Sequence, residues 1–246
     1  MYDYKKECKQ YYLPTQKPAI VEIPSMNFLA VAGKGDPNEA DGEYSRAMGL
    51  LYGVAYTVKM SYKGDYKIAG FFEYVVPPLE GFWWQTACHM AQTHQARERA
   101  AAISDSPTLP EENHADLEML SVQPGGVDYS RKADFRWISL IRLPDFVTEA
   151  DFEWAVKEAT RKKKTDFSEV RFLTYDEGLC VQSMHLGAYD DEPATVAALA
   201  DFAHENGYVI DITPSRYHHE IYLTDPRKTE QEKLKTVVRH PIRRAD

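Results

Sequence analysis

One glutamate in the C-terminal part of the chain has neighbours suited to acid–base chemistry. Glu220 follows two histidines, and strand alternation places His218, Glu220 and Tyr222 on one face. Desolvation raises the pKa of a carboxyl group in an aromatic cleft, where it can act as a general base or as the counter-charge of a cation. The other face of this segment is the more apolar one, which favours a solvated glutamate instead. The residues alone leave both interpretations open.

Aromatic residues are frequent, with 16 Tyr, 10 Phe and 4 Trp, and flat organic ligands are often bound between aromatic walls. Trp83 and Trp84 are adjacent, so alternation lets only one of them face a given cavity. His185 and Tyr189 flank Gly187 at a strand-to-helix junction, where ligand contacts are common. Core packing is the default interpretation of any single aromatic residue. Further candidates for contact with a ligand are Trp137, Tyr175 and Glu73.

Several familiar motifs of cofactor and metal sites are excluded by spacing. Residues 33–35 begin like a dinucleotide-binding fingerprint, but Asn38 stands where the third glycine belongs. His89 and His94 are too far apart to share one helical face as metal ligands. The sequence has no GxSxG motif of serine hydrolases. We therefore expect no cofactor and no metal.

Charge and cysteine usage restrict the partners and the compartment. The net charge is −9, which repels phosphate backbones, and the basic runs at 161–164 and 239–244 are short. The three cysteines lack CxxC spacing, as expected of reduced thiols. No signal peptide or membrane-spanning run is apparent. We expect a cytoplasmic protein that binds neither nucleic acid nor membrane.

The apolar pattern predicts the elements that position these residues. Helical spacing, composition and capping residues predict helices at 39–60 and 86–103, a helix that starts with the capping pair Thr148 and Asp151, and another that starts at residues 191–193 and stops at residues 206–207. Strands are predicted at 18–33, on both sides of a turn at 77–78 within 67–85, at 135–143, as a hairpin of 170–175 and 179–187, and at 208–212, 217–223 and 236–242.

The two halves of the chain share a pattern. Gly35 and Gly187 each end an apolar strand, and acidic residues, a proline and a helix follow in both cases. After each helix a later segment carries a glutamate, Glu73 or Glu220. This indicates one strand–helix–strand–strand unit used twice. Two such units packed about a pseudo-dyad would leave a ligand groove at the axis.

Several ordered segments resemble the signatures of GyrI-like proteins. They are residues 78–84, 178–182, 185–190, 218–229 and 232–239, within a likeness that covers about residues 18–242. The sequence departs from the common pattern at Thr224, where many relatives have Ser, and at Ala188, where Pro or another small residue is common.

The resemblance implies an α+β fold of two strand–helix–strand–strand modules, with antiparallel sheets, helices packed on one side and a central ligand pocket. Residues 1–17 would be an N-terminal extension and residues 18–246 a single domain. Its first module would span about 18–143, with a helical insert at 86–126, and its second module about 144–246.

The family includes drug-sensing domains of transcription regulators, a gyrase-inhibiting protein and stand-alone members, some of which hydrolyse cyclopropanoid DNA-alkylating antibiotics. This chain is similar to the stand-alone group, because it has no recognisable DNA-binding helix pair and carries the double-Trp motif. The resemblance implies Glu220 as the residue of chemistry, Trp83 or Trp84 as a pocket wall, and Tyr189 near the rim.

The leading hypothesis is a detoxifying hydrolase for spirocyclopropane dienones. Glu220 would be the general base, with Tyr222 or His185 as donor to the developing phenolate and Trp84, Trp137 and Tyr175 as stacking walls. The alternative is a non-catalytic protein that sequesters or senses hydrophobic or cationic drugs, in which Glu220 pairs with the ligand's charge. Protein-binding inhibition of gyrase is a third possibility that no residue favours. The expected oligomeric state is a monomer or a weak homodimer.

Overall fold

The computed structural model describes residues 1–85 and 128–245. The predicted helix at 86–103, and the rest of the expected insert, lie outside the described residues. The described part contains five α-helices: α1 (Tyr4–Glu7), α2 (Lys9–Tyr12), α3 (Glu43–Lys59), α4 (Glu149–Lys163) and α5 (Glu192–Glu205). It also contains nine strands: β1 (Ala19–Ile23), β2 (Met26–Lys34), β3 (Leu79–Gln85), β4 (Phe135–Arg142), β5 (Arg171–Tyr175), β6 (Gly178–Leu186), β7 (Tyr208–Ile210), β8 (His218–Tyr222) and β9 (Lys235–Arg244).

All the named strand pairs are antiparallel, in the order β1-β6-β9-β8-β3-β4-β2-β5, with β7 beside β9. In the first half, β2 leads through α3 to β3 and β4, and β4 lies between β2 and β3. In the second half, β6 leads through α5 to β8 and β9, and β9 lies between β6 and β8. The α+β fold is confirmed, and both halves have the strand order that a repeated strand–helix–strand–strand unit predicts. They meet where β3 pairs with β8.

The predicted hairpin of 170–175 and 179–187 is wrong. Both strands exist, but β5 pairs with β2, whereas β6 pairs with β1 and β9. The connection between them is drawn into the core because Glu177 is buried and bonded to His219 and Arg239. Strands β1 and β2 are likewise separated by only Pro24 and Ser25. The segment β1–β2 and the segment β5–β6 therefore each have one strand at either end of the sheet, where β1 pairs with β6 and β2 pairs with β5.

Residues 67–85 also differ from the prediction, because only β3 forms a strand there. The segment before it is irregular, apart from one bridge between Tyr2 and Tyr74. The consecutive prolines at 77–78 cannot donate ladder hydrogen bonds, which accounts for a late strand start.

The helices begin and end where their capping residues lie. Thr148 and Asp151 form the predicted capping box at the start of α4. Pro193 stands in the first turn of α5, and Gly207, with a φ of +79°, follows its end. Helix α3 begins at Glu43 rather than near residue 39, because Asp36 accepts hydrogen bonds from Asn38 and holds the preceding residues in a turn.

The sheet has two differently covered faces. Helices α3 and α5 pack on one face, here called the helix face, through clusters that include Leu51, Trp137 and Leu199. The N-terminal segment packs on the opposite face, where Tyr4 and Tyr12 share a cluster with Ile221. No helix among the described residues is both long and apolar enough to cross a membrane.

Candidate functional site

Glu220 lies where the two halves of the sheet meet. It is opposite Gly81 on β3 and Val238 on β9, and it points to the helix face together with His218 and Tyr222, as strand alternation predicts. The residue is only 4% exposed. The structure therefore shows a buried glutamate between the halves and not the solvated one that the residues had left open.

A chain of hydrogen-bonding groups runs through this buried carboxylate. His218 Nε2 lies 3.0 Å from Glu220 Oε1, and His218 Nδ1 lies 2.6 Å from His240 Nε2. Glu192, the first residue of α5, brings its Oε2 to 3.8 Å from His218 Nε2. All four side chains are buried. Burial, and then the nearby His218, hold the pKa of His240 well below its ordinary value, so His240 is neutral.

Four aromatic side chains lie near Glu220 on the helix face. Trp83 Nε1 donates to the Tyr222 hydroxyl at 2.7 Å. The Tyr44 ring lies 5.4 Å from Trp83, and Tyr189 meets Tyr222 edge-on at 5.8 Å between ring centroids. Burial and then the Glu220 charge raise the pKa of Tyr222 and of Tyr44, and raise that of Tyr189 to about 12. All three phenols therefore remain protonated beside this carboxylate.

Space for the Trp83–Tyr222 contact is provided by Gly81. A Cβ atom at this position would lie 2.6 Å from Trp83 Nε1 and 3.1 Å from the Tyr222 hydroxyl oxygen. The absence of a side chain at Gly81 therefore makes room for the hydrogen bond between Trp83 and Tyr222, on the strand pair β3–β8 in which Gly81 is opposite Glu220.

Glu192, His218 and Glu220 have the residue types of a metal site, and their ligand atoms lie within 4.8 Å of one another. In this structure, His218 Nε2 lies 3.0 Å from Glu220 Oε1, so these two side chains are hydrogen-bonded to each other.

The other candidate residues from the sequence are not all brought to this place. Trp137 is fully buried beside Tyr44, with ring centroids 5.1 Å apart, on the helix face. Trp84 and Tyr175 pack on the opposite face, in the cluster of Phe82 and Tyr217. They cannot share a pocket with Glu220. Of the two adjacent tryptophans, Trp83 is the one near this site.

His185 and Glu73 are engaged elsewhere. His185 points to the helix face, but Nδ1 contacts Thr195 Oγ1 at 2.8 Å and Nε2 contacts the Ala188 carbonyl at 2.9 Å. Since a carbonyl only accepts, Nε2 carries the proton and His185 ties the Gly187 turn to α5. Glu73 is exposed, and its carbonyl accepts from Tyr2 in the N-terminal segment.

Three residues of the site were not among the sequence candidates. Tyr44 lay within the predicted helix at 39–60, Glu192 at the predicted start of another helix, and His240 within the predicted strand at 236–242. Alternation along β9 places His240 on the same face as Val238, which is opposite Glu220. A histidine within this largely apolar strand was the signal that the sequence offered. Nothing local in the sequence connects Tyr44 or Glu192 with β8.

A second charged cluster lies on the opposite face of the same strand. His219 contacts Glu177 Oε1 through Nδ1 at 2.9 Å and Glu80 Oε2 through Nε2 at 3.0 Å. Arg239 donates to Glu177 Oε2 at 2.9 Å and to the Tyr11 carbonyl at 2.8 Å. Burial alone would lower the pKa of His219 and raise that of Glu177. The opposite charges prevail, so the pKa of His219 is raised and that of Glu177 falls to about 2.

Two concave regions of the described residues lie away from Glu220. A small one on the opposite face borders Tyr12, Glu80, Glu177 and Arg239. A groove of about 460 Å³ runs between α3 and α4 and is lined by Met60, Tyr66, Trp154 and Arg161, among others. Glu220 lines neither of these two regions.

Known proteins resemble the chain over its whole length. The profile of the GyrI-like small molecule binding domain matches residues 143–243. A hydrolase from Listeria innocua is 38% identical over 99% of this chain and 100% of its own, with a TM-score of 0.76. Another Listeria innocua hydrolase structure is 40% identical over 98% and 99% of the two chains, also at 0.76. An uncharacterized conserved protein of the same organism reaches 0.78 at 38% identity, over 99% and 100% of the two chains. No match was found among the curated proteins. The chain belongs to the GyrI-like small-molecule-binding family.

Proposed function

We propose that the protein is a hydrolase that binds a flat, hydrophobic, electrophilic small molecule over Glu220 and opens it with water. The observation that carries the proposal is the buried Glu220 carboxylate, hydrogen-bonded to His218 and near Tyr44, Trp83 and Tyr222 at the meeting point of the two halves. Full-length relatives named hydrolases support a hydrolytic activity. The proposed substrate class is the cyclopropanoid genotoxins, spirocyclopropanes conjugated to a dienone.

The proposed reaction needs one base and one donor. Glu220 accepts a proton from water while the water oxygen bonds to a cyclopropane methylene carbon. The carbon–carbon bond to the spiro centre breaks, and its electron pair passes into the dienone to form a phenolate. In the resting site, burial and then the nearby charge of Glu220 raise the pKa of Tyr222, so its hydroxyl keeps its proton. When Glu220 becomes protonated, the Tyr222 hydroxyl donates to the phenolate, which finally takes up the proton.

Aromatic walls would hold the flat substrate in this orientation. Trp83 and Tyr44 present adjacent rings with an interplanar angle of 37°, and Tyr189 stands edge-on to Tyr222. Offset and edge-on rings of this kind contribute about 0.5–1.5 kcal/mol per pair beyond the area they bury. Trp84 and Tyr175 have no part in this proposal, because they lie on the opposite face.

A second candidate function is non-catalytic binding of a hydrophobic cation. The observation that favours it is the pair of buried carboxylates, Glu192 and Glu220, that approach the single side chain of His218. A cation among the aromatic rings would offset this negative charge and gain cation–π contacts.

The first experiment mixes the purified protein with a spirocyclopropyl dienone and follows the loss of the dienone absorbance, with Glu220→Gln in parallel. We expect multiple turnovers for the native protein. In the variant we expect turnover to fall by about 10²–10⁴-fold while binding survives, because a positioned base contributes on that order. Tryptophan fluorescence measures binding in both proteins.

The binding protein would behave differently in the same experiment. It would leave the absorbance unchanged, and Glu220→Gln would weaken the binding of a hydrophobic cation but hardly that of a neutral compound of similar shape. A single turnover followed by a covalent adduct would contradict both functions and would indicate alkylation of the protein.

A further inference from the structure

We infer that His218 is a positioning residue for Glu220, held in place by His240, and that it donates from Nε2 to the carboxylate oxygen Oε1. This inference deepens the proposed function. It concerns the side chain that orients the base and not the base itself.

The direction of the hydrogen bond follows from the chemistry of its two partners. A general base must be ionised before it acts, and an ionised carboxylate offers only acceptors. Glu220 Oε1 and His218 Nε2 are 3.0 Å apart, so the proton of this bond belongs to Nε2. The bond holds one oxygen of Glu220 in the plane of the His218 ring.

The His218 ring cannot turn away, because both of its nitrogens are engaged. Nδ1 lies 2.6 Å from His240 Nε2, on the neighbouring strand β9, and the two rings meet at 66°. Both residues are 0% exposed. His240 is neutral, so it adds no positive charge that would compete for Glu220.

The hydrogen bond from His218 fixes the direction in which Glu220 can act. A carboxylate has about four lone-pair sites on two oxygens, and His218 occupies one of them. In the proposed reaction, the carboxylate accepts a proton from water at an orientation that this donor sets. Removing the His218 donor should therefore disturb the base without removing it.

The position of Glu192 also favours a hydrogen bond from His218 to Glu220. Its Oε2 is 3.8 Å from the same His218 nitrogen, beyond hydrogen-bond distance. The N–H of His218 is thus directed to Glu220 in preference to Glu192. Glu192 lies at the first position of α5, where a helix N-terminus stabilises a negative charge.

A direct test does not need any substrate. Two-bond ¹H–¹⁵N correlation spectra of the full-length protein, labelled at histidine nitrogen, report which nitrogens carry protons near neutral pH. Spectra of His218→Gln and His240→Gln assign the signals. We expect a protonated Nε2 in His218. An unprotonated Nε2 would make Glu220 the donor and would overturn the inference.

Kinetics with the spirocyclopropyl dienone separate the inference from the proposed function. His218→Leu removes the donor, and we expect kcat to fall by about 10- to 100-fold, the equivalent of one hydrogen bond to a charged group, with KM nearly unchanged. We expect the acidic limb of the pH–rate profile to move to higher pH, because an ionised carboxylate that loses a donor is more easily protonated. His218→Gln keeps an N–H near the same place and should recover most of the rate.

The exposed His204 on α5 supplies the matched control. His204→Leu should change neither kcat nor the pH profile. If His218→Leu also retained the native kcat and pH profile, the inference would be wrong while the proposed function stood. If the native protein turned over no cyclopropanoid, the proposed function would fail, and the protonation state seen by NMR would still decide the role of His218.

Discussion

Trp83 Nε1 donates a 2.7 Å hydrogen bond to the hydroxyl of Tyr222, across the strand pair that joins the two halves of the sheet. The Tyr222 oxygen accepts from the indole, and its own proton is therefore available to Glu220. A tryptophan of the first half thus orients a phenol of the second half toward the buried carboxylate. Residues from both halves of the sheet therefore form the site.

Trp83→Phe tests this relationship. The variant removes the indole N–H and leaves Tyr222 without its donor. We expect a stability loss of about 1–3 kcal/mol and a weaker affinity for the flat ligand, because a ring of the site becomes smaller and Tyr222 is released. Urea denaturation measures the first effect and fluorescence titration the second.

Trp84→Phe is the matched control for that experiment. Trp84 is the next residue, is similarly buried and packs against Tyr217 on the opposite face. Its replacement should destabilise the fold and leave ligand affinity unchanged. Equal losses of affinity in both variants would mean that the ligand is not bound on the helix face.

Gly81→Ala adds a single methyl group and should nevertheless disturb the contact between Trp83 and Tyr222. The added Cβ would stand 2.6 Å from Trp83 Nε1, so the indole or the strand must shift. We expect a loss of about 1–3 kcal/mol in stability together with weaker ligand binding. Thermal denaturation and the same fluorescence titration measure the two effects.

Gly49→Ala serves as the control, at a glycine that has room for a side chain. A Cβ at Gly49, in the middle of α3, would meet no atom within 4 Å. This variant should stabilise the protein by up to about 1 kcal/mol, because alanine is the better helix former. If Gly81→Ala bound ligand as well as Gly49→Ala, the close approach at β3 would have no role in the site.

The buried cluster on the opposite face predicts how stability depends on pH. The pKa of His219 is raised in the folded state, so its contribution is complete below the ordinary histidine value of 6.5 and is lost as the pH rises through the raised value. The pKa of Glu177 is lowered to about 2, so its contribution is present above the ordinary value of 4.5 and is lost as the pH falls.

We therefore expect maximal stability in mildly acidic to neutral solution, with losses on both sides. Urea denaturation between about pH 3 and 9 measures this profile. His219→Gln should flatten the alkaline side of the profile, whereas His204→Gln, at an exposed position, should leave it unchanged. An alkaline loss of stability that persisted in His219→Gln would assign it to another group.

The N-terminal segment should contribute to stability through Tyr12. Its hydroxyl donates to Glu80 Oε1 at 3.2 Å, inside the same cluster. Tyr12→Phe should cost about 1.5–3 kcal/mol, the range for a hydrogen bond to a charged group, without affecting ligand binding on the helix face. Tyr56→Phe, at a half-exposed residue of α3, should cost almost nothing. Denaturant midpoints of the two variants measure the difference.

Much of the local structure was determined by the sequence itself. Alternation along β8 put Glu220, His218 and Tyr222 on one face, and the capping pair of Thr148 and Asp151 marked the start of α4. The glycines at the ends of β2 and β6, Gly35 and Gly187, adopt the positive φ values of +97° and +132° that tight turns use. These features depend on residues near one another in the chain, and short-range patterns record them.

Only the tertiary structure decided which side of the sheet the site occupies and which residues complete it. Local periodicity treats Trp83 and Trp84 alike, but α3 covers the face of Trp83 and the N-terminal segment covers the face of Trp84. Tyr44, Glu192 and His240 reach Glu220 from distant elements, through contacts that depend on strand order and helix placement. The pairing of β5 with β2 was likewise a long-range feature: Glu177, which lies between β5 and β6, contacts His219 and Arg239 on distant strands, and a short connection in the sequence does not record such contacts.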